Sequence, residues 1–426
     1  MIKFQSLIAI ICIMILANKA YSQTNVSDTL SIDIKNAEKI FIDKNLSLLA
    51  AKYNVDANAM LVNQAQKWDN PILMLDQNIY NHVTKKYFDA TNSGQTYGQV
   101  QQLIKLGGKR KAAVAIAKDN LEIAKLQLDD LLRNLRYTLH TDLYNAANFL
   151  QAEKLFADEI NEMQKLTFAI GEQVKVGNAA MKDLLRVQAE LFSVQNDALQ
   201  NQKQLVAVEA EIRQLLLLPE NAFVKPAVSD SLQNNLVEKI NVADLFNEAK
   251  NNRPDYKIQQ TQTLQQQHNL NLQRASEVPD LTVGTEYDHN SNYISDYWGL
   301  TLAMPLPILN TNRNNVKAAK NYLSEQQQNE LQFEKNIATD VSSAYIKLKN
   351  TIALNSSVNE TLGTKYDLMM RNMIQNYQQR NISLLELMDF FDTYKDAKLK
   401  ALQLLNDSHN AVEDLNLSVG KQVIGQ

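Results

Sequence analysis

The side chains best able to bind a metal or move a proton near neutral pH are five histidines: His82, His140, His268, His289 and His409. Their spacing supports neither chemistry. The chain contains no HExxH pair, no GxSxG elbow and no phosphate-binding loop. The glycines of LGGKR (Leu106 to Arg110) suit a strand-to-helix junction, not a nucleotide-binding loop. No catalytic residue, metal site or cofactor is therefore expected. Cys12, the single cysteine, lies inside an N-terminal apolar run with no lipobox placement. A chain trimmed of that run has no disulfide, no thiolate ligand, no cysteine nucleophile and no N-terminal lipid anchor.

The remaining charged groups recur at matched places. VGNAAMKDLLRVQAEL (Val176 to Leu191) and ISLLELMDFFDTY (Ile382 to Tyr394) each restart a helix after a break, the first around Gly171 to Gly177 and the second around Gln379-Arg380. Aligned, they set Gly177 over Arg380, Asp183 over Glu386 and Arg186 over Asp389. Acids in the first turns of a helix complement its dipole.

These segments belong to a larger duplication. In each half a helical pattern stops before a proline (Asn70-Pro71, Val278-Pro279) and an extended, aromatic-bearing stretch follows. A long helical run then opens at LGGKRKAAVAIAK or at PLPILNTNRNNVKAAK. No Gly or Pro occurs from Lys109 to Ile170, or from Ile308 to Leu362. At 1.5 Å per residue such a helix is on the order of 90 Å long, too long for a single-layer globular core, so the helices must pack side by side. Leu121, Ala124, Leu128, Leu131, Leu135 and Leu139 form a narrow apolar stripe, as do Leu184, Val187, Leu191, Val194 and Ala198.

Four strands are expected between the helices: roughly Ile72 to Tyr80, Gln95 to Ile104, Leu281 to Asp288 and Trp298 to Met304. In the third, Leu281, Val283, Thr285 and Tyr287 alternate with Thr282, Gly284, Glu286 and Asp288, leaving one polar face. About ten residues is the length of a tilted membrane strand. Tyr80, Tyr87, Phe88, Tyr97, Tyr287, Tyr293, Tyr297 and Trp298 cluster near strand ends and loops, as an aromatic belt would, although β propensity also enriches strands in aromatics. Four strands cannot close a barrel, and an open sheet edge cannot sit in lipid. Three chains would supply twelve strands, an even number within the bacterial outer-membrane range. After Gln23 no apolar stretch is long enough for a transmembrane helix. Before it, Lys3, the apolar run from Leu7 to Ala17 and Ala20-x-Ser22 read as a secretory signal peptide. The formal net charge of −4 leaves no basic footprint for nucleic acid.

The duplicated layout, the proline-started strands NPILML and VPDLTVGTEY, the LGGKR and PLPILN junctions and the VGNAAMKDLL tip together resemble the TolC family of outer-membrane efflux proteins, from about Ser31 to Gly420. LGGKR is similar to the junction of that family's heavy-metal efflux branch. The resemblance implies a mainly α fold with a β portion. Duplicated long-helix hairpins would form a trimeric periplasmic α-barrel under a 12-stranded outer-membrane β-barrel, with four strands from each chain. The implied localisation is the outer membrane, extending into the periplasm of a Gram-negative bacterium. The implied partners are two further copies, outer-membrane lipid, a periplasmic adaptor and an inner-membrane pump of the RND type.

By the same resemblance Asp183, Glu386 and Asp389, with Tyr377, correspond to residues that constrict a closed tip. A carboxylate ring in a narrow, partly desolvated pore attracts cations. Arg380 departs from the family's turn glycine, and Arg186 sets a cation opposite Asp389, so a salt-bridged closure is the alternative to an acidic ring. Gly177, Asn178, Ala179 and Met181, with Asn381, Ile382, Ser383 and Leu384, resemble groove residues that receive an adaptor hairpin, with Leu184 and Leu387 as apolar anchors. Lys105, Lys109, Arg110 and Lys111 sit at a helix start, where the dipole disfavours cations. Lipid phosphate at the periplasmic membrane face is one external anion that would offset that cost; solvation is the other.

The expected divisions are a signal peptide over 1–22, a first repeat over 23–218, an equatorial linker over 219–241, a second repeat over 242–420 and a tail over 421–426. The expected function is a passive outer-membrane exit duct of a tripartite efflux system. A soluble periplasmic adaptor should show a lipoyl-like β domain, which is absent, and an envelope spacer would need no matched strand pairs. The residues name no cargo among metal ions, drugs and secreted protein.

Overall fold

The structure, a computed structural model, describes residues 29–228, 240–291 and 294–424, except the side chains of residues 29, 359–368 and 371. The expected signal peptide, residues 229–239 of the expected linker, Tyr293 and the last two residues of the tail lie outside the described residues.

Each half opens with two short helices, where the sequence pattern suggests one. Helix α1 (Ile34–Lys44) gives way to α2 (Leu46–Ala65) at Asn45, whose side chain accepts from the N–H groups of Ser47 and Leu48 and so caps α2. In the second half α5 (Val242–Asn252) gives way to α6 (Pro254–Ala275) at Arg253, with Pro254 at the first helical position.

The long helices are α3 (Lys109–Lys175, 67 residues) and α7 (Arg313–Gln378, 66 residues), each about 100 Å long at 1.5 Å per residue. Each starts from a left-handed residue, Gly108 at φ 86° and Asn312 at φ 58°. Each is folded back along a shorter partner: α4 (Met181–Leu216) on α3, and α8 (Leu384–Val419) on α7. Gly171, expected near the first break, lies inside α3, which ends only at Lys175 with Val176 as its cap. One helical glycine costs less than the continuous packing on either side returns.

Strands β2 (Ile72–Gln77), β5 (Thr96–Ile104), β7 (Leu281–Asn290) and β8 (Ser295–Ala303) form one antiparallel sheet in the order β2-β5-β7-β8. The first strand is shorter than expected because the chain leaves it after Gln77 for a two-residue hairpin, β3 (Tyr80–Asn81) with β4 (Lys86–Tyr87). Buried Asp89 organises that loop by accepting from Asn81, Thr84 and Thr91. Elsewhere β1 (Thr29–Ile32) pairs in parallel with β6 (Phe223–Pro226), so part of the 219–241 segment is bound to the first half.

The core is divided along the helices rather than gathered at one centre. Leu139, Leu143, Leu205, Ile212 and Phe41 pack one equatorial cluster. Ile337, Val341, Leu348, Val412 and Leu415 pack its counterpart in the second half. Removing one of these leucines to Ala costs about 2–5 kcal/mol. Ion pairs join the halves: Arg133 of α3 meets Asp255 at 2.9 Å, and Arg253, bonded to the same carboxylate at 2.8 Å, reaches Asp340 of α7 at 3.0 Å.

Candidate functional site

At the far end of the hairpins the two halves turn by the same device. Gly177 is left-handed at φ 74°, and the N–H of Asn178 returns to the carbonyl of Gln173 at 2.8 Å. Arg380 is left-handed at φ 62°, and the N–H of Asn381 returns to Asn376 at 2.9 Å. Both are left-handed helix C-caps of the kind glycine favours.

The restarted helices differ in their caps. Ser383 and Glu386 form a capping box: the Ser383 N–H donates to Glu386 Oε2 at 2.7 Å, and the Glu386 N–H to Ser383 Oγ at 3.3 Å. These bonds from the Ser383 backbone and then its hydroxyl hold the Glu386 carboxyl below the usual range. In the first half Ala180 occupies the cap position and offers no side chain, so half-buried Asp183 is not held in such a box. Asp183 lies close enough to Tyr377 to act on it: burial first, then the Asp183 charge, pushes the Tyr377 hydroxyl up. Asp389 is exposed. Neither Arg186 nor Arg380 makes an ion pair among the described residues.

The tip has its own core of Met163, Ile170, Val187, Leu387, Met388 and Phe391. Leu387 is fully buried there and offers no surface to a partner. Ala179, Leu184, Ile382 and Leu384 are partly buried against the same core, while Gly177, Asn178, Met181, Asn381 and Ser383 are exposed. Leu185 and Leu385, outside the tip residues expected to meet a partner, are 57% and 58% exposed. The cue was present, since each is the second leucine of a pair and must leave the face its neighbour buries.

The sheet at the opposite end separates its two faces. Register places Leu75, Gly98, Tyr287 and Trp298 in one row and Leu73, Val100, Thr285 and Leu300 in the next, on one face. Leu73, Leu75, Trp298, Leu300 and Leu302 are all strongly exposed. The other face carries a polar network in which Tyr97 donates to Glu286 at 2.9 Å and Gln99 Nε2 lies 3.4 Å from both Glu286 and Thr301. A Cβ on Gly284 would sit 2.7 Å from Thr301 Oγ1 and 2.8 Å from the Val100 carbonyl, so this face is crowded. The aromatic group therefore divides: Tyr287 and Trp298 pack at 5.1 Å on the apolar face, Tyr97 and Tyr297 lie on the polar face, and Tyr80 and Tyr87 pair in the β3–β4 hairpin. No described helix is long and apolar enough to cross a membrane. Both sheet edges, β2 and β8, are unpaired among the described residues.

The family match spans residues 39–216 and 245–421, the two halves of the duplication, and its description is outer membrane efflux protein. The chain belongs to this family. It is an outer-membrane efflux protein. No curated protein matches it. Among solved structures, CusC shares 17% identity with this efflux protein at a TM-score of 0.74, over 92% of this chain and 94% of that one. The CmeC outer membrane channel of Campylobacter jejuni shares 13% at 0.74, over 92% and 87%. The open-state MtrE channel of Neisseria gonorrhoeae shares 15% at 0.73, over 92% and 89%.

Three of the five histidines of the efflux protein, those in its helices, are held by neighbouring side chains. His140 lies between Glu38 and Glu413 at 2.9 and 3.1 Å, His268 meets Asp119 at 2.6 Å, and His409 stacks on Tyr144 at 4.4 Å. Two of the four junction cations are also paired, Lys105 with Asp69 at 3.0 Å and Lys109 with Asp280 at 2.6 Å. The dipole cost expected of those two is therefore offset within the chain.

Proposed function

We propose that three copies of this efflux protein close their four-stranded sheets into one 12-stranded barrel and work as a passive duct with no chemistry of its own. The sheet carries the reading: an exposed apolar face, a bonded polar face and two open edges fit lipid outside, water inside and a neighbouring chain on each side. Helices α2, α3, α6 and α7 pack in the same order as the strands they adjoin, so both layers end on matching open sides. The α2 side exposes Leu49, Tyr53, Met60 and Leu61. The protein purified in detergent should have the mass of three chains and resist carbonate extraction from outer membranes. A stable monomer by light scattering sinks the reading.

Asp183, Asp389 and Tyr377 are the proposed constriction, with the Asp183–Tyr377 approach as its support; Glu386 would contribute its charge from within a capping box. Replacing Asp183 and Asp389 together with Asn should change single-channel conductance or cation block in planar bilayers. If neither moves, the acids serve the helix ends alone.

The exposed tip residues Gly177, Asn178, Met181, Asn381 and Ser383, with Ala179, Leu184, Ile382 and Leu384 behind them, are the proposed seat of a periplasmic adaptor that links the duct to an inner-membrane pump of the RND type. Leu185 and Leu385 join this surface and Leu387 supports it from inside. Leu185→Asp and Leu385→Asp should abolish efflux-dependent resistance while trimer yield stays normal, because exposed sites tolerate charge. Resistance that survives both substitutions removes these leucines from the docking surface.

A further inference from the structure

A cavity of about 830 Å³ opens at the foot of the sheet, between the end of α2 and the start of α3. Lys67, Lys105, Lys109 and Arg110 line it, with Asp69 as the one carboxylate. Lys105 and Lys109 are already paired, with Asp69 and Asp280. Lys67 and Arg110 make no ion pair among the described residues. Arg110 instead lies with its guanidinium carbon 4.0 Å from the centroid of the Trp68 ring. Its guanidinium makes no hydrogen bond among the described residues, so its donors remain available, and that planar fork matches phosphate.

Trp68 is 58% exposed, although a large aromatic in water is unfavourable unless something covers it. Five residues further on, exposed Leu73 of β2 marks the lower end of the apolar sheet face, followed by exposed Leu75, while Ile72 points to the opposite face. Unpaired cations, an exposed indole and an adjoining apolar strand together fit a ligand with a phosphate head and hydrocarbon tails. A free phosphate would use the cations and leave Trp68, Leu73 and Leu75 bare.

We propose that the Trp68–Arg110 cleft binds the phosphodiester headgroup of a net-anionic phospholipid in the periplasmic leaflet of the outer membrane, with Arg110 and Lys67 on the phosphate and Leu73 and Leu75 along the acyl chains. The site rests on the reading that the sheet is embedded in the membrane. It adds a binding site that anchors the junction of barrel and helices.

The chain has two tryptophans, so Trp298→Phe leaves Trp68 as the only indole emitter. The full-length Trp298→Phe protein, reconstituted in phosphatidylcholine vesicles, is titrated with phosphatidylglycerol brominated on its acyl chains. Half-quenching of Trp68 should come at a low mole fraction of that lipid. Arg110→Ala and Lys67→Ala should each raise it roughly fivefold, the effect of one basic residue at a membrane surface. Arg110→Lys should lie between, since it keeps the charge and loses the fork. Added inorganic phosphate should not relieve the quenching. Equal half-quenching in parent and variants overturns the site, and relief by inorganic phosphate assigns it to a free anion. A separate Trp68→Phe protein reports Trp298 on the sheet face. If Trp298 is quenched and Trp68 is not, the cleft fails alone; if neither is quenched, the membrane-embedded reading fails and the cleft with it.

Discussion

Arg380 holds φ 62° where its counterpart Gly177 holds φ 74°, so the second tip turns on a side chain where the first turns on glycine. The left-handed conformation costs a non-glycine residue about 1–2 kcal/mol. A Cβ on Gly177 would meet nothing within 4 Å, so a substitution there carries the conformational cost alone. Arg380→Gly is expected to stabilise the second hairpin and Gly177→Ala to destabilise the first, each by about 1 kcal/mol. Hydrogen exchange at residues 374–384 and 171–181 measures both. Equal exchange in parent and variants would show that the turn adds no strain.

The capping box separates stability from gating. Ser383→Ala should lower stability by about 1 kcal/mol and leave single-channel conductance as it was, because Ser383 acts on the end of α8. Thermal unfolding and bilayer recording on the same preparation decide it. A conductance change with no loss of stability would instead put Ser383 in the constriction.

His140 makes stability depend on pH. Burial alone pushes its imidazolium down, but hydrogen bonds to Glu38 and Glu413, with their charges, outweigh burial and carry it up to about 9. An unfolded histidine titrates near 6.5. The folded value is raised, so the contribution is complete below about 6.5 and is lost as pH rises through about 9. Thermal midpoints should fall over that window, and His140→Gln should remove that part of the fall. A variant with the parent's full pH dependence would place the effect elsewhere.

Glu159 has the opposite character. It is 5% exposed, neither carboxylate oxygen has a hydrogen-bond partner among the described residues, and burial pushes it up to about 8 despite the opposing charge of Lys395. Its folded form holds a proton that the unfolded chain releases near 4.5, so stability declines from about 4.5 upward through about 8. Glu159→Gln should stabilise the protein above pH 8 by about 1.4 kcal/mol for each pH unit between about 4.5 and about 8, because it removes the buried charge and keeps the shape, and should change little below pH 4, where both side chains are neutral. Denaturant unfolding at the two pH values tests this, and a destabilised variant at high pH would show that the charge is needed beside Lys395.

Much of the fold was legible because it is built from local patterns. Breaker-free runs and three- and four-residue apolar steps marked α3 and α7, prolines marked the strand starts, and two-residue alternation marked β7 and β8. Gly177 was readable as a turn for the same reason, and Arg380 only through alignment with it. The division at Asn45 was not read, since one polar residue at a cap looks like any other on a polar face.

By itself, the sequence determined the duplication, the long helices, the faces of the second strand pair and the membership these imply, because helix and strand periods are local properties of the chain. Only the tertiary structure decided which groups are satisfied. It paired Lys105 and Lys109 with Asp69 and Asp280 and left Arg110 on Trp68. It enclosed Leu387 while exposing Leu385, and held Glu386 in a cap while setting Asp183 near Tyr377. Those outcomes depend on which side of a helix meets its neighbour and on contacts between residues up to about 200 positions apart, and a local period carries neither.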